Sequence, residues 1–271
     1  MAIVFIIYQK ATDMTALCDF PSGVTLVIGG SGGIGSSICR QFAHAGSDVA
    51  VTYFSREAAA RQTVDEVRDL GRAASAHQLD SADGPAIEAL LDRLGRQYGR
   101  IHTIVFSAAA VPEQVYISQI TPSHWQRALN EEVTGFFHTV QAALPLFRAW
   151  GGGSFVHIGS AGEVVWPARD GLSVIPKAAN EAVVRGVARE EGRFNIRANS
   201  VLVGVIDAGM HLELQKRGVF DAQWERNTIN AVPLKRIGKA DDIAHAAVFL
   251  ASARASYITG HQIPVAGGYG V

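Results

Sequence analysis

Five glycines stand among the seven residues GGSGGIG, Gly29 to Gly35, directly after the apolar run VTLVI (24–28). Glycine permits the tight turn and lets backbone N–H groups approach a pyrophosphate, while the N-terminus of a following helix adds partial positive charge. The run fits three registers at once: Gly30-x-Gly32-x-x-Gly35, Gly29-x-x-Gly32-x-x-Gly35 and Gly29-x-x-x-Gly33-x-Gly35. It therefore points to a dinucleotide without choosing among the proteins that bind one. The strand before it and the apolar stripe after it argue against a ligand-free turn. About 20 residues on, where NAD-binding chains carry an acidic residue for the ribose hydroxyls, the sequence reads TYFSRE. With no carboxylate at that tip, Ser55 and Arg56 suit a 2′-phosphate, and Glu57 falls late for the ribose. NADP(H) is expected, with NAD the alternative. A second chemistry-bearing group is Lys177, which closes SVIPK and opens the alanine-rich run AANEAVVRGVARE, four residues after Ser173. A Ser173/Lys177 hydrolytic dyad is chemically conceivable, but nothing resembles a nucleophile elbow.

These groups need elements to hold them. From residue 24 short β-branched runs alternate with longer segments whose apolar residues recur three and four apart. VTLVI (24–28), DVAVTY (48–53), AASAHQ (73–78), IHTIVFS (101–107), SFVHI (154–158), IRANSVLV (196–203) and HQIPV (261–265) read as strands. Several are apolar on both faces, as strands covered by helices on both sides must be. Ile34, Ile38, Phe42 and Ala45 form one helical stripe that stops at Gly46, and similar segments stop before Gly71, Gly99 and Gly192, where a left-handed cap is expected. The pattern gives an α/β fold: one doubly wound parallel sheet of Rossmann type, three layers αβα, in a single domain over 21–271 after an N-terminal extension over 1–20. Ligands of such a sheet bind beyond the carboxyl ends of its strands. The longest loop there, about 204–232, is expected to be a substrate lid.

Composition narrows the partners. The chain is 48% hydrophobic and 18% charged with a formal net charge of −1, and no Lys/Arg run exceeds two residues. Neither nucleic acid nor an anionic membrane is advertised, so a small-molecule substrate is expected. The apolar run Ala2 to Tyr8 is far shorter than the ~20 residues of a membrane span and lacks a signal-peptide pattern. Residues 1–13 read as an appendage ahead of Met14. Cys18 and Cys39 match no metal or redox spacing, which suits a reducing compartment, and the cytoplasm is the expected location. The nine histidines are scattered without ligand spacing, so no metal site is expected; His157 and His211 read as core and lid residues.

Read with the downstream residues, the third glycine register resembles the short-chain dehydrogenase/reductase family, and the similarity runs from about Val24 to the C-terminus. GGSGGIG stands where that family has TGxxxGIG, with Ile28 in place of the threonine; RIGKADDIAHAAVFLAS and YITGHQIPVAGG resemble its closing helix and last strand, with Ala266 replacing an aspartate. The resemblance implies that Gly29, Ser31, Gly32, Gly33, Ile34 and Gly35 cradle the pyrophosphate and that Asp80 in LDSAD meets the adenine. It also places Ser107, Ala108, Ala109, Gly204, Ile206 and Lys177 along the cofactor. A homo-oligomer, tetramer or dimer, is implied in the same way.

The catalytic half departs from that pattern. The family uses a serine to polarise the substrate carbonyl, a tyrosine thirteen residues later to transfer the proton, and a lysine four further on to lower the tyrosine pKa and hold the nicotinamide ribose. Ser160 and Lys177 fall on the serine and lysine positions, Ser173 on the tyrosine position, and Glu132 in EEVTG on that of the active-site asparagine. FSAA, Phe106 to Ala109, replaces NNAG; Val203 and Ala208 replace the proline and threonine of the loop after the sixth strand. A phenol titrates near ~10 and an aliphatic hydroxyl is a far weaker acid. Losing a positioned general acid costs about 10²–10⁴ in rate. Pro176 is expected to push Ile175 toward an extended conformation and so take Ser173 off the helix carrying Lys177. Beside Lys177, Glu132 would pair with it; without that partner it would be protonated and could donate in place of the phenol. A proton-donating Glu132 and a salt-bridged structural pair both stand at this point. Tyr116 in the loop after the fourth strand is a weaker candidate. Val164, Val165, Trp166 and Pro167, with Leu212, Leu214, Val219, Phe220 and Trp224, make the substrate side apolar. The chain thus reads as an NADP(H)-dependent oxidoreductase with an atypical proton donor. A catalytically impaired cofactor-binding sensor or partner subunit is the alternative, and a lyase or isomerase the third reading.

Overall fold

The β-branched runs become seven strands: β1 Val24–Ile28, β2 Asp48–Tyr53, β3 Ala74–Gln78, β4 Ile101–Phe106, β5 Gly153–Ser160, β6 Ile196–Val203 and β7 Gln262–Val265. The structure is a computed structural model that describes residues 19–271. The expectations for residues 1–18, Cys18 among them, lie outside the described residues. All seven strands pair in parallel in the order β3-β2-β1-β4-β5-β6-β7. The order reverses between β1 and β4, which is where an open α/β sheet forms its ligand crevice.

Helices α1 (Gly33–His44), α2 (Glu57–Asp69) and α3 (Gly84–Tyr98) follow the first three strands. After β4 come α4 (Pro122–Ala128), a π-helical turn over Leu129–Thr134, and α5 (Gly135–Ala149); α6 (Gly171–Glu191) follows β5. Then α7 (Met210–Lys216), α8 (Ala222–Ala231) and α9 (Ala240–Ala251) lead to β7. Because β1, β4 and most of β5 are buried on both faces, two cores form. One joins Ile38, Phe42, Val64 and Val248 from α1, α2 and α9 to one face of the sheet; the other joins Leu91, Phe136, Phe147 and Val184 from α3, α5 and α6 to the opposite face. Each fully buried Leu, Ile or Phe adds about 1.5–3 kcal/mol, and this removal of both faces from water fixes the three-layer order.

Helix ends follow the expected signals with one correction. Gly46, Gly71 and Gly99 take φ of 92°, 76° and 81°. Gly192 does not: it stays right-handed at φ −55° and runs into a short 3₁₀ turn, and Asn195 takes the left-handed position at φ 60°. Asparagine tolerates that conformation, and its Nδ2 donates to the Gly151 carbonyl at 3.2 Å. Pro176 is a second correction. It sits inside α6, and Ser173 lies on the same helix as Lys177. Proline biases its predecessor without forbidding a helix. Here the burial of Leu172, Val174 and Pro176 in the first turns of the helix outweighs that bias.

Candidate active site

At the end of β1 the Gly29 N–H donates to Thr52 Oγ1 on β2 (3.0 Å), with φ of 83° turning the chain. Gly32 N then donates to Gly29 O at 3.0 Å, and α1 begins at Gly33. A Cβ on Gly35 would run into the Gly29 carbonyl oxygen, and one on Gly33 would lie 2.7 Å from Gly209 N. The turn therefore requires glycine at both places, since neighbouring backbone cannot yield. Gly32 offers no side-chain cap and the first turn of α1 holds no acidic residue, which leaves the positive end of the helix open toward an anion. A pyrophosphate fits this cradle. Arg56 is exposed at the β2 tip, and its Nη2 lies 3.4 Å from where a Gly32 Cβ would be, so the guanidinium flanks the glycine turn. Ser55 beside it is exposed as well. Across the switch point, Ser107 N donates to Ile28 O (2.9 Å) and Ala108 lies against Gly29. Asp80 keeps its carboxylate at the end of β3 by accepting from Ala82 N at 2.9 Å.

The second cluster lies where β5 ends and α6 begins. Ser160 is the last residue of β5, with Oγ accepting from Gly162 N at 3.1 Å. Ser173 is buried in the first turn of α6 and its N–H is bonded to Asp170 O. One turn on, Lys177 Nζ donates to Glu132 Oε2 at 2.7 Å and to the Ser173 carbonyl at 3.3 Å. Both members of this ion pair are buried, and Glu132 comes from the π-helical turn. Such turns are frequent at functional sites. Burial pushes the Glu132 carboxyl above the usual carboxylate range, and the Lys177 ammonium opposes that rise.

Beneath the pair, Asn180 Nδ2 donates to the Glu132 carbonyl (3.2 Å) and faces His157 Nε2 (3.2 Å), while His157 Nδ1 meets Glu181 Oε1 at 2.8 Å. Burial holds His157 below its ordinary value. Burial works against the Glu181 charge, yet the bond from His157 leads the hydrogen bonds that keep the carboxyl low. A neutral imidazole donating to a carboxylate satisfies both. Glu163, three residues after Ser160, faces the same carboxylate; burial, reinforced by Glu181, raises it to about 7.

The structure thus brings Glu132, Ser173 and Lys177 together and keeps Ser160 at the neighbouring strand end. Gly204 abuts Ala266, Ile206 is buried, and Ala208 and Gly209 lie against Gly33. Segment 204–232 holds two short helices rather than open loop, pinned by stacked Phe220 and Trp224 (3.7 Å) with His211 beside them. Leu214 is buried there and Val219 exposed. Tyr116 is half-exposed under the Arg169 guanidinium. Sequence reasoning missed Thr52, Asn180, Glu181 and Glu163. The spacing of Lys177, Asn180 and Glu181 on one helix was a readable signal for two of them. Among the described residues no group of three or more His, Cys, Asp or Glu is placed to hold a metal ion, and no helix is long and apolar enough to cross a membrane.

A parallel sheet reversing between β1 and β4, a glycine cradle at that reversal and a lysine on the helix after β5 define a nicotinamide-dependent oxidoreductase class. Residues 29–270 match the family model described as enoyl-(acyl carrier protein) reductase, and the chain belongs to the short-chain dehydrogenase/reductase family. It is 32% identical over 260 residues to sorbose reductase sou1 of Schizosaccharomyces pombe, covering 94% of this chain and 99% of the relative. It is 29% identical over 243 residues to the 3-oxoacyl-[acyl-carrier-protein] reductase FabG of Staphylococcus aureus, covering 90% and 96%. Among solved structures, a short-chain type dehydrogenase/reductase from Mycobacterium ulcerans superposes with a TM-score of 0.86 at 27% identity, covering 93% of this chain and 90% of that one. A putative short-chain alcohol dehydrogenase from Sinorhizobium meliloti gives 0.86 at 29%, covering 93% and 98%.

Proposed function

We propose that this chain is an NADP(H)-dependent oxidoreductase that interconverts a small apolar carbonyl compound and its alcohol, or reduces a conjugated C=C bond, with an atypical proton donor. The observation that carries the cofactor preference is the Arg56 guanidinium beside the glycine turn, with no carboxylate at the β2 tip. When bound, the nicotinamide supplies the hydride. Gly29, Ser31, Gly32, Gly33, Ile34 and Gly35 hold the pyrophosphate through backbone N–H groups, and Ser55 and Arg56 take the 2′-phosphate. Asp80, Ser107, Ala108 and Ala109 line the adenosine side; Gly204, Ile206 and Lys177 line the nicotinamide side. Ser160 orients the substrate oxygen. Ser173 occupies the tyrosine position, and its hydroxyl is too weak an acid to donate by itself. The Glu132–Lys177 pair holds a proton one helical turn away, and burial favours the protonated Glu132 carboxyl, from which that proton passes to the substrate oxygen while Lys177 offsets the carboxylate left behind. Segment 204–232 acts as the lid, and exposed Trp125 and Phe137 on α4 and α5 suit a homo-oligomeric contact.

The test is calorimetry with NADPH and NADH. Wild type should bind NADPH the more tightly, and Arg56→Ala should cost about tenfold or more toward NADPH alone, as expected for a charge-assisted contact of roughly 1.5–3 kcal/mol. Equal binding of the two nucleotides would end the NADP(H) preference.

One observation favours a second reading. Lys177 is engaged by a buried carboxylate, which suits a cofactor-binding protein with little redox activity, serving as sensor or partner subunit. Ser173→Tyr separates the two: gain of ketone reduction would mark an intact cleft lacking only its phenol, and no gain with NADPH bound would favour the sensor.

A further inference from the structure

Between the loop after β4 and the loop leading into α6 lies a groove of about 450 Å³, within the range of small-molecule sites (~300–1,000 Å³). Its walls are Tyr116, Ile117 and Trp166, exposed by 48%, 61% and 48%, and its far end is Gly171, the first residue of the helix bearing Ser173 and Lys177. Apolar and aromatic surface of this kind, left open, favours an apolar ligand body.

One cation stands in that surface. Arg169 adopts φ of 71°, a backbone conformation that a non-glycine residue seldom takes and that recurs at ligand sites. Its guanidinium carbon lies 4.8 Å from the Tyr116 ring centroid, and Nη2 is 3.4 Å from the Tyr116 hydroxyl. Among the described residues it pairs with no carboxylate. The adjacent carboxylate is turned away: Asp170 Oδ1 accepts from Gln114 Nε2 at 2.8 Å and caps no N–H of α6. That bond and the one-residue bridge between Val115 and Asp170 clamp the two loops together, so the groove and its guanidinium are held by the fold.

We infer that Arg169 is a specificity-determining residue that anchors the carboxylate of a small monoanionic substrate whose apolar aryl or alkyl body lies along Trp166 and Ile117. A guanidinium over an aromatic ring presents its fork to a planar carboxylate. Among the described residues no second cation lines the groove, which sets a singly charged carboxylate above a doubly charged phosphate. The inference rests on the proposed oxidoreductase reading, since the groove runs to the start of the catalytic helix.

The test is calorimetry on the full chain with three acids, 4-phenylbutyrate, 2-naphthoate and octanoate, each against its methyl ester, with and without saturating NADPH. At least one acid should bind tenfold or more tighter than its ester, and Arg169→Gln should bring that pair within threefold while leaving NADPH affinity unchanged. Arg169→Gly suits the left-handed backbone and gives the same readout if the glutamine variant fails to fold. A wild type that prefers no acid by more than threefold, or a preference that survives both substitutions, overturns the assignment. Absent NADPH binding would instead sink the oxidoreductase reading and leave the acid-to-ester comparison interpretable.

Discussion

The β1–β2 half of the crevice and the β5–α6 half face the same carboxyl edge of the sheet but are built from different materials. On the first side the working groups are main-chain N–H groups, and the side chains that matter are mostly those the glycines lack. On the second side the working groups are buried polar side chains, the Glu132–Lys177 ion pair and the neutral His157 with the Glu181 carboxylate, joined through Asn180. A backbone cradle tolerates substitution around it as long as the turn closes. A buried charge network depends on every partner, because removing one leaves the other uncompensated.

The largest expected effect breaks the first side. In Gly35→Ala the new methyl meets the Gly29 carbonyl oxygen, which belongs to the turn itself and cannot swing away as a flexible side chain would. The turn must open, and the N–H groups that converge on an anion lose their geometry. Calorimetry should register no saturable NADPH uptake, a loss of at least 10³-fold or about 4 kcal/mol. The far-UV circular dichroism should be retained, since the sheet lies outside the clash. Affinity within tenfold of wild type would mean that the cradle is not where the nucleotide binds.

This contrast also explains what could be read from the amino-acid sequence. Seven strands, the helix stripes and the glycine turn follow from local rules of periodicity and sterics, so VTLVI-GGSGGIG announces itself without any distant partner. Ser160, Ser173 and Lys177 were legible as positions on a family pattern. What they touch was not: the Lys177–Glu132 contact spans 45 residues and the His157–Glu181 contact 24. Pro176 shows the same limit from the other direction, for a local preference against helix yields to burial that only the assembled fold provides. Gly192 and Asn195 show it at a helix end, where a side-chain bond to Gly151 moves the left-handed residue three positions on.

A second, smaller effect sharpens the comparison on the α6 side. Glu132→Gln keeps the shape of the side chain and removes its charge, leaving the Lys177 ammonium buried beside a neutral amide. Breaking a buried pair in this way costs roughly 3 kcal/mol or more. Thermal unfolding should then shift down by about 6–12 °C. If the Glu132 carboxyl also donates the proton, turnover should fall by about 10²-fold at neutral pH. Unchanged turnover at every pH would remove Glu132 from the chemistry and leave it a structural partner of Lys177.

The smallest effect asks whether electrostatic organisation on this side extends beyond that pair. The Glu163 carboxyl is raised from 4.5 to about 7, chiefly by burial, with repulsion from Glu181 adding to it and the Ser160 N–H, Arg185 and Lys177 opposing. A carboxyl raised on folding binds its proton more tightly in the native state. Its contribution to stability is therefore full below pH 4.5 and is lost as pH rises through about 7. Glu163→Gln cannot titrate, so its unfolding temperature should fall less than that of wild type across this window. At pH 8 the variant should be the more stable, by about 1 kcal/mol once solvent screening on the exposed side is allowed for, or roughly 2–4 °C. Arg56→Ala, on the backbone-built side, should leave the slope unchanged. Parallel curves for Glu163→Gln and wild type would mean that Glu163 is solvated and does not act on the Glu181 carboxylate.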